Sequence, residues 1–217
     1  PLTPELYQVL EKLEAQSSIP IKRCPLEQNR GLGLALQYGV LQCQYDVIAR
    51  MDTDDIAVED RFEQQFELME KENLDLLGGH IAEFIDQPDE IVSYRRVPTK
   101  HEDIIVYQRM RSAFNHMTVM FKKDMVLKAG NYEDGLYMED DLLWLNMISA
   151  GARTGNVDQI LCKVRVGAGM FERRGGLRYL KLYRQARQRM HARGQISYGE
   201  YLKSVLIQVV VALCPGF

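Results

Sequence analysis

The sequence predicts an α/β domain in which a mostly parallel sheet carries helices on its faces. Three observations point there. Up to Gly79, segments with helical spacing and short apolar runs alternate as helix, strand, helix, strand, helix, strand. Two of those runs, 47–51 and 74–77, read as buried strands, one ending in the acidic cluster Asp52, Thr53, Asp54, Asp55 and the other in Gly78-Gly79. The chain of 217 residues, 46% hydrophobic and 26% charged, suits one sizeable soluble domain.

Each element has its own signature. Residues 3–15 place Leu6, Val9, Leu10 and Leu13 at helical spacing, with Thr3 as the cap and Pro4 in the first turn. Residues 19–22 read as a short strand, with Pro20 tolerable only near its start or at a sheet edge. Asn29 to Gly33 form a turn feeding a helix that runs to about Gln44. Residues 59–73 predict an amphipathic helix with Phe62, Phe66 and Met69 on one stripe, and 74–77 a strand broken by Gly78-Gly79. A hairpin or excursion loop over 80–98 follows. Then come a helix at 102–110, a strand at 117–121, a short helix at 124–129 closed by Gly130, and a helix at 139–150 closed by Gly151. Residues 156–166 supply a late strand, and helices over 177–192 and 198–213 end the series.

A net charge of −3 and a pI near 5.9 give no global basis for nucleic-acid binding, so any bound anion must be held locally. Cys24, Cys43, Cys162 and Cys214 are scattered, without metal spacing, and read as reduced thiols of a cytoplasmic protein. The first residues lack the basic start and apolar core of a secretion signal, and a chain that begins without Met is expected to be a fragment. Residues 201–214 are nearly all apolar but short of the roughly 20 residues a spanning helix needs, so the run reads either as a docking or interfacial helix or as the beginning of a segment that is cut off. Upstream lie Arg173, Arg174, Arg178, Lys181, Arg184, Arg187, Arg189 and Arg193. This is either a helical segment resting on the inner face of an anionic membrane or a solvated basic helix beside a core helix. The expected division is a catalytic domain at 1–170 and a helical segment at 171–217.

The acidic run is the strongest chemical signal. Adjacent carboxylates at a strand end repel unless a cation or a metal-bound phosphate offsets them. Two acids one residue apart can reach one face of the sheet, and a divalent ion on a sugar nucleotide needs only one or two protein carboxylates. The plainer alternative is that Asp54 or Asp55 caps the next helix. An EF-hand reading fails, because Ala57 stands where the turn glycine belongs and Ile56 where an oxygen ligand belongs. A second acidic group, Glu139-Asp140-Asp141, opens a helix containing Trp144, where it either complements the macrodipole or supplies a general base. His116 precedes a strand and is either an acceptor-side residue or a structural histidine. No dinucleotide glycine motif, phosphate-binding Gly-Lys-Ser/Thr loop or Gly-X-Ser-X-Gly elbow occurs.

The phrase Ala49-Arg50-Met51-Asp52-Thr53-Asp54-Asp55 resembles the Asp-X-Asp region of family 2 glycosyltransferases, which carry the GT-A fold. Glu139-Asp140 with Trp144 resembles the family's Glu-Asp signature, Asn29-Arg30-Gly31 its Asn-X-Gly loop, and Arg173-Arg174 its paired arginines. The resemblance implies an inverting transferase using Mn2+ or Mg2+ and a UDP-linked sugar, acting on a glycan or lipid-linked acceptor in bacterial surface polysaccharide synthesis. It assigns metal binding to Asp54 and Asp52, with Asp52 also near the donor ribose, and donor contacts to Asn29, Arg30, Arg173 and Arg174. It makes Asp140 the base, Glu139 its support, and His116 and Trp144 acceptor-side residues. Asp141 departs from the pattern, since relatives often have an aromatic residue there. The resemblance covers only the later part of the family's domain, so the fold is expected to be incomplete at its N-terminus. The competing reading is a non-catalytic glycosyltransferase-like binding or regulatory module, and a nucleotidyltransferase is a third.

Overall fold

The computed structural model describes residues 2–134, 137–167 and 176–213. Helices α1 (Pro4–Gln16) and α2 (Leu32–Gln42) lead into β1 (Val47–Ala49), the acidic turn and the two-residue β2 (Ile56–Ala57). Then come α3 (Arg61–Glu72), β3 (Leu76–Phe84), β4 (Ile91–Arg95), α4 (His101–Gln108), a 3-10 turn at His116–Thr118 and β5 (Met120–Lys122). The series ends with α5 (Lys123–Lys128), α6 (Glu139–Ser149), β6 (Thr154–Arg165), α7 (Gly176–Ala192) and α8 (Tyr198–Leu213).

Helices flank the sheet as the alternation predicts, and the sheet is mixed. Its order is β1-β5-β3-β6-β2, with β4 paired to the far half of β3. β3 and β6 pair in parallel, whereas β5 lies antiparallel between β1 and β3. β1, β3 and β6 therefore share one direction, and their C-terminal ends lie at one edge of the sheet. Side chains alternate across it: Leu76 and Phe121 join the cluster with Phe114, Tyr132, Leu143 and Trp144, while Leu77 and Met120 join Met69, Leu74 and Leu161 on the other face.

Several expectations are corrected. Gly78-Gly79 does not break β3, because a Cβ there would lie 2.5 Å from Asn156 Oδ1 or 2.4 Å from Leu161 Cδ1. The glycines permit close strand packing. Residues 19–22 form no strand; Ile19 is 73% exposed, and no described segment offers the run a ladder partner. Helix α3 is inverted relative to its apolar stripe. Arg61 and Gln65 face inward beside Met69, because Arg61 donates to the Arg50 carbonyl at 2.8 Å and Gln65 to the Thr118 carbonyl at 2.8 Å. Phe62 and Phe66 are consequently exposed.

The last two helices form an antiparallel pair against α6. Ala186, Met190 and Ile196 pack on Met138, Leu142 and Leu145. Buried Arg187 donates to Ser204 Oγ at 3.0 Å and to the Arg109 carbonyl, pinning both helices to the end of α4.

Candidate active site

The C-terminal ends of strands in an open α/β sheet leave a crevice where ligands bind. Here that crevice is a cleft of about 670 Å3, and the acidic turn after β1 forms part of its wall through Asp52, Asp54 and Asp55. Arg30 to Leu34 at the start of α2, Val164-Arg165 at the end of β6, Glu139 at the start of α6, and Arg178 on α7 line the rest of it with Met117, Asp134 and Tyr137. The two acidic groups, far apart in sequence, thus open onto one space.

Buried Arg50 and Arg61 shape the turn. The Arg50 guanidinium grips Asp52 through both oxygens, at 2.5 and 2.6 Å. Arg61 lies beneath, donating to Met51 Sδ at 3.0 Å as well as to the Arg50 carbonyl. Asp55 accepts the Arg165 amide at 3.1 Å, which ties the turn to the end of β6. Partial burial nevertheless pushes the Asp55 carboxyl up to about 6, with the charges of Asp52 and Asp54 adding to the rise. Asp54 is exposed and faces the cleft.

On the other wall, Glu139, Asp140 and Asp141 occupy the first turn of α6, where unpaired amides and the macrodipole favour negative charge. Burial, followed by Asp140's charge, raises the Glu139 carboxyl. Asp141 departs from the cleft: it accepts Gln108 Nε2 at 2.8 Å, and Gln108 in turn accepts the Ala113 amide at 2.7 Å. Burial and Asp140 push Asp141 up to about 6. The Tyr132 phenol, driven upward mainly by burial, also feels Arg50, Asp140, Glu139 and Asp52, so the charges of both walls converge around one ring.

The start of α2 closes the cleft. Asn29 Oδ1 accepts the Gly31 amide at 3.0 Å, and Gly31 has φ +89°, so this asparagine shapes the turn while Arg30 lines the cleft. Gly33 is required by close approach: a Cβ would sit 2.2 Å from the Glu133 carbonyl and 3.0 Å from Glu139 Cβ.

Two expected acceptor residues lie elsewhere. Trp144 is 0% exposed, packed between Phe114, Phe121 and Tyr132, so it is a core residue. His116 bonds Tyr132 Oη at 2.9 Å, lies edge-on to Trp144, and is held neutral by burial that drives its pKa well down. It anchors the 3-10 turn from behind, and its neighbour Met117 reaches the cleft. Arg173 and Arg174 lie outside the described residues. Sequence reasoning missed Arg165 as a site residue and counted Arg178 only within a basic block. Arg165 ends the late strand just as the acidic run ends β1, and the strand-end rule would have found it.

The side chains present fit a divalent ion of the Mg2+ or Mn2+ type. Among the described residues no group of three or more His, Cys, Asp or Glu is arranged to hold a metal. Asp54 and Asp52 instead offer one or two hard oxygens on a cleft that also holds Arg30 and Arg178, a donor set suited to an ion completed by phosphate and water.

The glycosyl transferase family 2 model matches residues 3–127. An uncharacterized glycosyltransferase of Haemophilus influenzae is 44% identical over 83% of this chain and 66% of its own length. The amylovoran biosynthesis glycosyltransferase AmsE of Erwinia amylovora is 43% identical over 75% of this chain and 61% of its own. A UDP-Gal:alpha-D-GlcNAc-diphosphoundecaprenol beta-1,3-galactosyltransferase of Escherichia coli is 32% identical over 99% of this chain and 77% of its own. The chain therefore spans about two thirds of the length of the first of these relatives and slightly less of the second. Among solved structures, a mannosyltransferase of Pyrobaculum calidifontis in complex with GDP-Man and Mn2+ superposes with a TM-score of 0.63 at 12% identity, covering 98% of this chain and 59% of its own. The mixed sheet is thus the GT-A fold, and the chain belongs to glycosyl transferase family 2.

Proposed function

We propose that this chain carries the catalytic part of an inverting, metal-dependent glycosyltransferase. It moves a sugar from a UDP-linked donor to a lipid-linked glycan during bacterial surface polysaccharide synthesis, on the cytoplasmic side of the membrane. The observation that carries the reading is the shared cleft, with Asp52, Asp54 and Asp55 on one wall and Glu139 on the other. Support for the UDP donor and the lipid-linked acceptor comes from the Escherichia coli relative, for polysaccharide synthesis from the Erwinia amylovora relative, and for a metal from the Pyrobaculum calidifontis complex. The same reading assigns residues 1–170 to the catalytic unit and 171–217 to a helical appendage.

The chemistry follows from charge. Asp54 and Asp52 would hold Mn2+ or Mg2+, which when bound offsets the negative charge of the departing diphosphate. Arg30 and Arg178 line the same cleft and would face that diphosphate, and Arg50 holds Asp52 in one orientation. Asp140 takes the proton from the acceptor hydroxyl as that oxygen attacks the anomeric carbon and the bond to the diphosphate breaks. Glu139, raised by burial, orients the acceptor beside it. Asn29 serves by shaping the turn that presents Arg30.

The test is donor hydrolysis and transfer with a panel of nucleotide sugars, with and without Mn2+, for the wild type, Asp54→Ala and Asp140→Asn. Loss of transfer in both variants is expected, by roughly 100-fold or more for the base. Activity that survives both changes would remove this mechanism, and a wild type that binds UDP without turning over any donor would favour the non-catalytic module.

A further inference from the structure

The later half of α8 is apolar apart from Gln208, yet among the described residues only one side of the helix is buried against the protein. Tyr201 joins the α6–α7 cluster and Ser204 receives Arg187 on the inner side. On the outer side Leu206 is 64% exposed, Val210 59% and Leu213 66%, one above another at helical spacing. A helix with this much apolar surface is normally covered. No described helix is long and apolar enough to cross a membrane.

The neighbouring helix says what covers it. α7 carries five arginine or lysine residues and no acid. Arg187 is spent on Ser204 and Arg189 on the Asp134 carbonyl, whereas Lys181 and Arg184 are exposed and make no hydrogen bond or ion pair among the described residues. Because α7 and α8 run antiparallel, the cationic half of α7 lies beside the exposed apolar half of α8. A second copy docking face to face would set these cations against each other. Anionic headgroups above acyl chains satisfy both features at once.

We propose that the outer face of α7 and α8 docks on an anionic bilayer surface, with Leu206, Val210 and Leu213 in the acyl boundary and Lys181 and Arg184 on the headgroups. Arg178 and Tyr179, on the same end of α7, line the cleft. Docking therefore brings the cleft mouth to the membrane plane, where a lipid-linked acceptor would present its sugar. This deepens the proposed function and rests on it for the identity of the acceptor.

The test is co-sedimentation of the full chain with vesicles of phosphatidylcholine alone or with added phosphatidylglycerol, at low and high salt, without donor or acceptor. Binding is expected only with the anionic lipid and should weaken with salt. The K181Q/R184Q variant should lower the partition coefficient roughly 30-fold, since each cation contributes about fivefold. L206S/V210S should lower it roughly 10-fold or more, and these exposed positions leave the fold intact by circular dichroism. Equal binding to both vesicles, binding to neither, or a Val210→Cys variant that cross-links quantitatively as a dimer in solution would overturn the proposal. Transfer to a water-soluble acceptor reports separately: turnover without vesicle binding sinks the docking surface alone, and vesicle binding without turnover sinks the enzymatic reading while leaving the surface.

Discussion

Asp141 is a buried carboxylate held by Gln108 beside Asp140, the proposed base, and replacing each by asparagine separates their roles. An ordinary aspartate ionises near pH 4, whereas folded Asp141 is pushed up to about 6 by burial and by Asp140. Between those values the folded chain keeps a proton that the unfolded chain has released, so stability falls as pH rises from about 4 to about 6 and is level above. The rise corresponds to a ceiling of about 3 kcal/mol for the ionised form at pH 7, already net of the hydrogen bond from Gln108, and local relaxation lowers it to about 2 kcal/mol. Asp141→Asn keeps an oxygen for Gln108 without the charge. It should therefore be about 2 kcal/mol more stable than the wild type at pH 7 in urea melts, with the gap closing toward pH 4. Its transfer rate should stay within a few-fold of the wild type, whereas Asp140→Asn should lose roughly 100-fold or more. If Asp141→Asn is no more stable at pH 7, or loses as much activity as Asp140→Asn, the assignment of the base to Asp140 is wrong.

The glycines and the buried arginine offer further tests. Gly33→Ala forces a methyl to within 2.2 Å of the Glu133 carbonyl, and thermal melts should show a loss of about 1–3 kcal/mol together with weaker nucleotide binding. Gly39→Ala, six residues along the same helix with nothing within 4 Å of the new methyl, should instead stabilise by about 0.5–1 kcal/mol. A pair of equal effects would show that α2 does not press on the Glu133 backbone. Arg61→Met leaves the Arg50 carbonyl and Gln65 Oε1 without their donor, a cost of roughly 2–4 kcal/mol by chemical denaturation. Donor turnover should fall with it as the acidic turn loosens; an Arg61→Met protein of normal stability would contradict the role given to this side chain.

Much of the fold is legible because periodicity reports burial. The boundaries of α1, α7 and α8 fall within a residue or two of their patterns, and Thr3 caps α1 as its position implies, its Oγ accepting the Leu6 amide. Legibility fails where a polar side chain takes a core position or a glycine serves packing. On α3, Arg61 and Gln65 occupy the inner stripe by satisfying carbonyls contributed from distant segments, which no local pattern records. Gly78 and Gly79 look like a break, yet they are the places where β3 and β6 approach too closely for a side chain. Strand direction is equally nonlocal: β5 enters between β1 and β3 against their direction, and its three residues carry no sign of that.

The site divides the same way. The acidic residues were visible because clustered carboxylates need a cause, but their organiser was not, since Arg50 sits inside a run that reads as a buried strand. That one guanidinium clamps Asp52, lowers the Asp55 and Glu139 carboxyls from where burial alone would set them, and helps keep His116 neutral. A cation between two walls of negative charge lets the cleft hold its acids close together before any ligand arrives. It would also set a condition on the proposed metal site, because both Asp52 oxygens are engaged and turning one toward an ion would weaken one of the two contacts with Arg50. Asp54, with no such clamp, is the proposed ligand that can reorient at least cost, so Asp54→Ala should abolish Mn2+-dependent transfer, whereas Arg50→Lys, retaining the charge but losing the two-point grip, should shift the Mn2+ concentration that transfer needs without abolishing it.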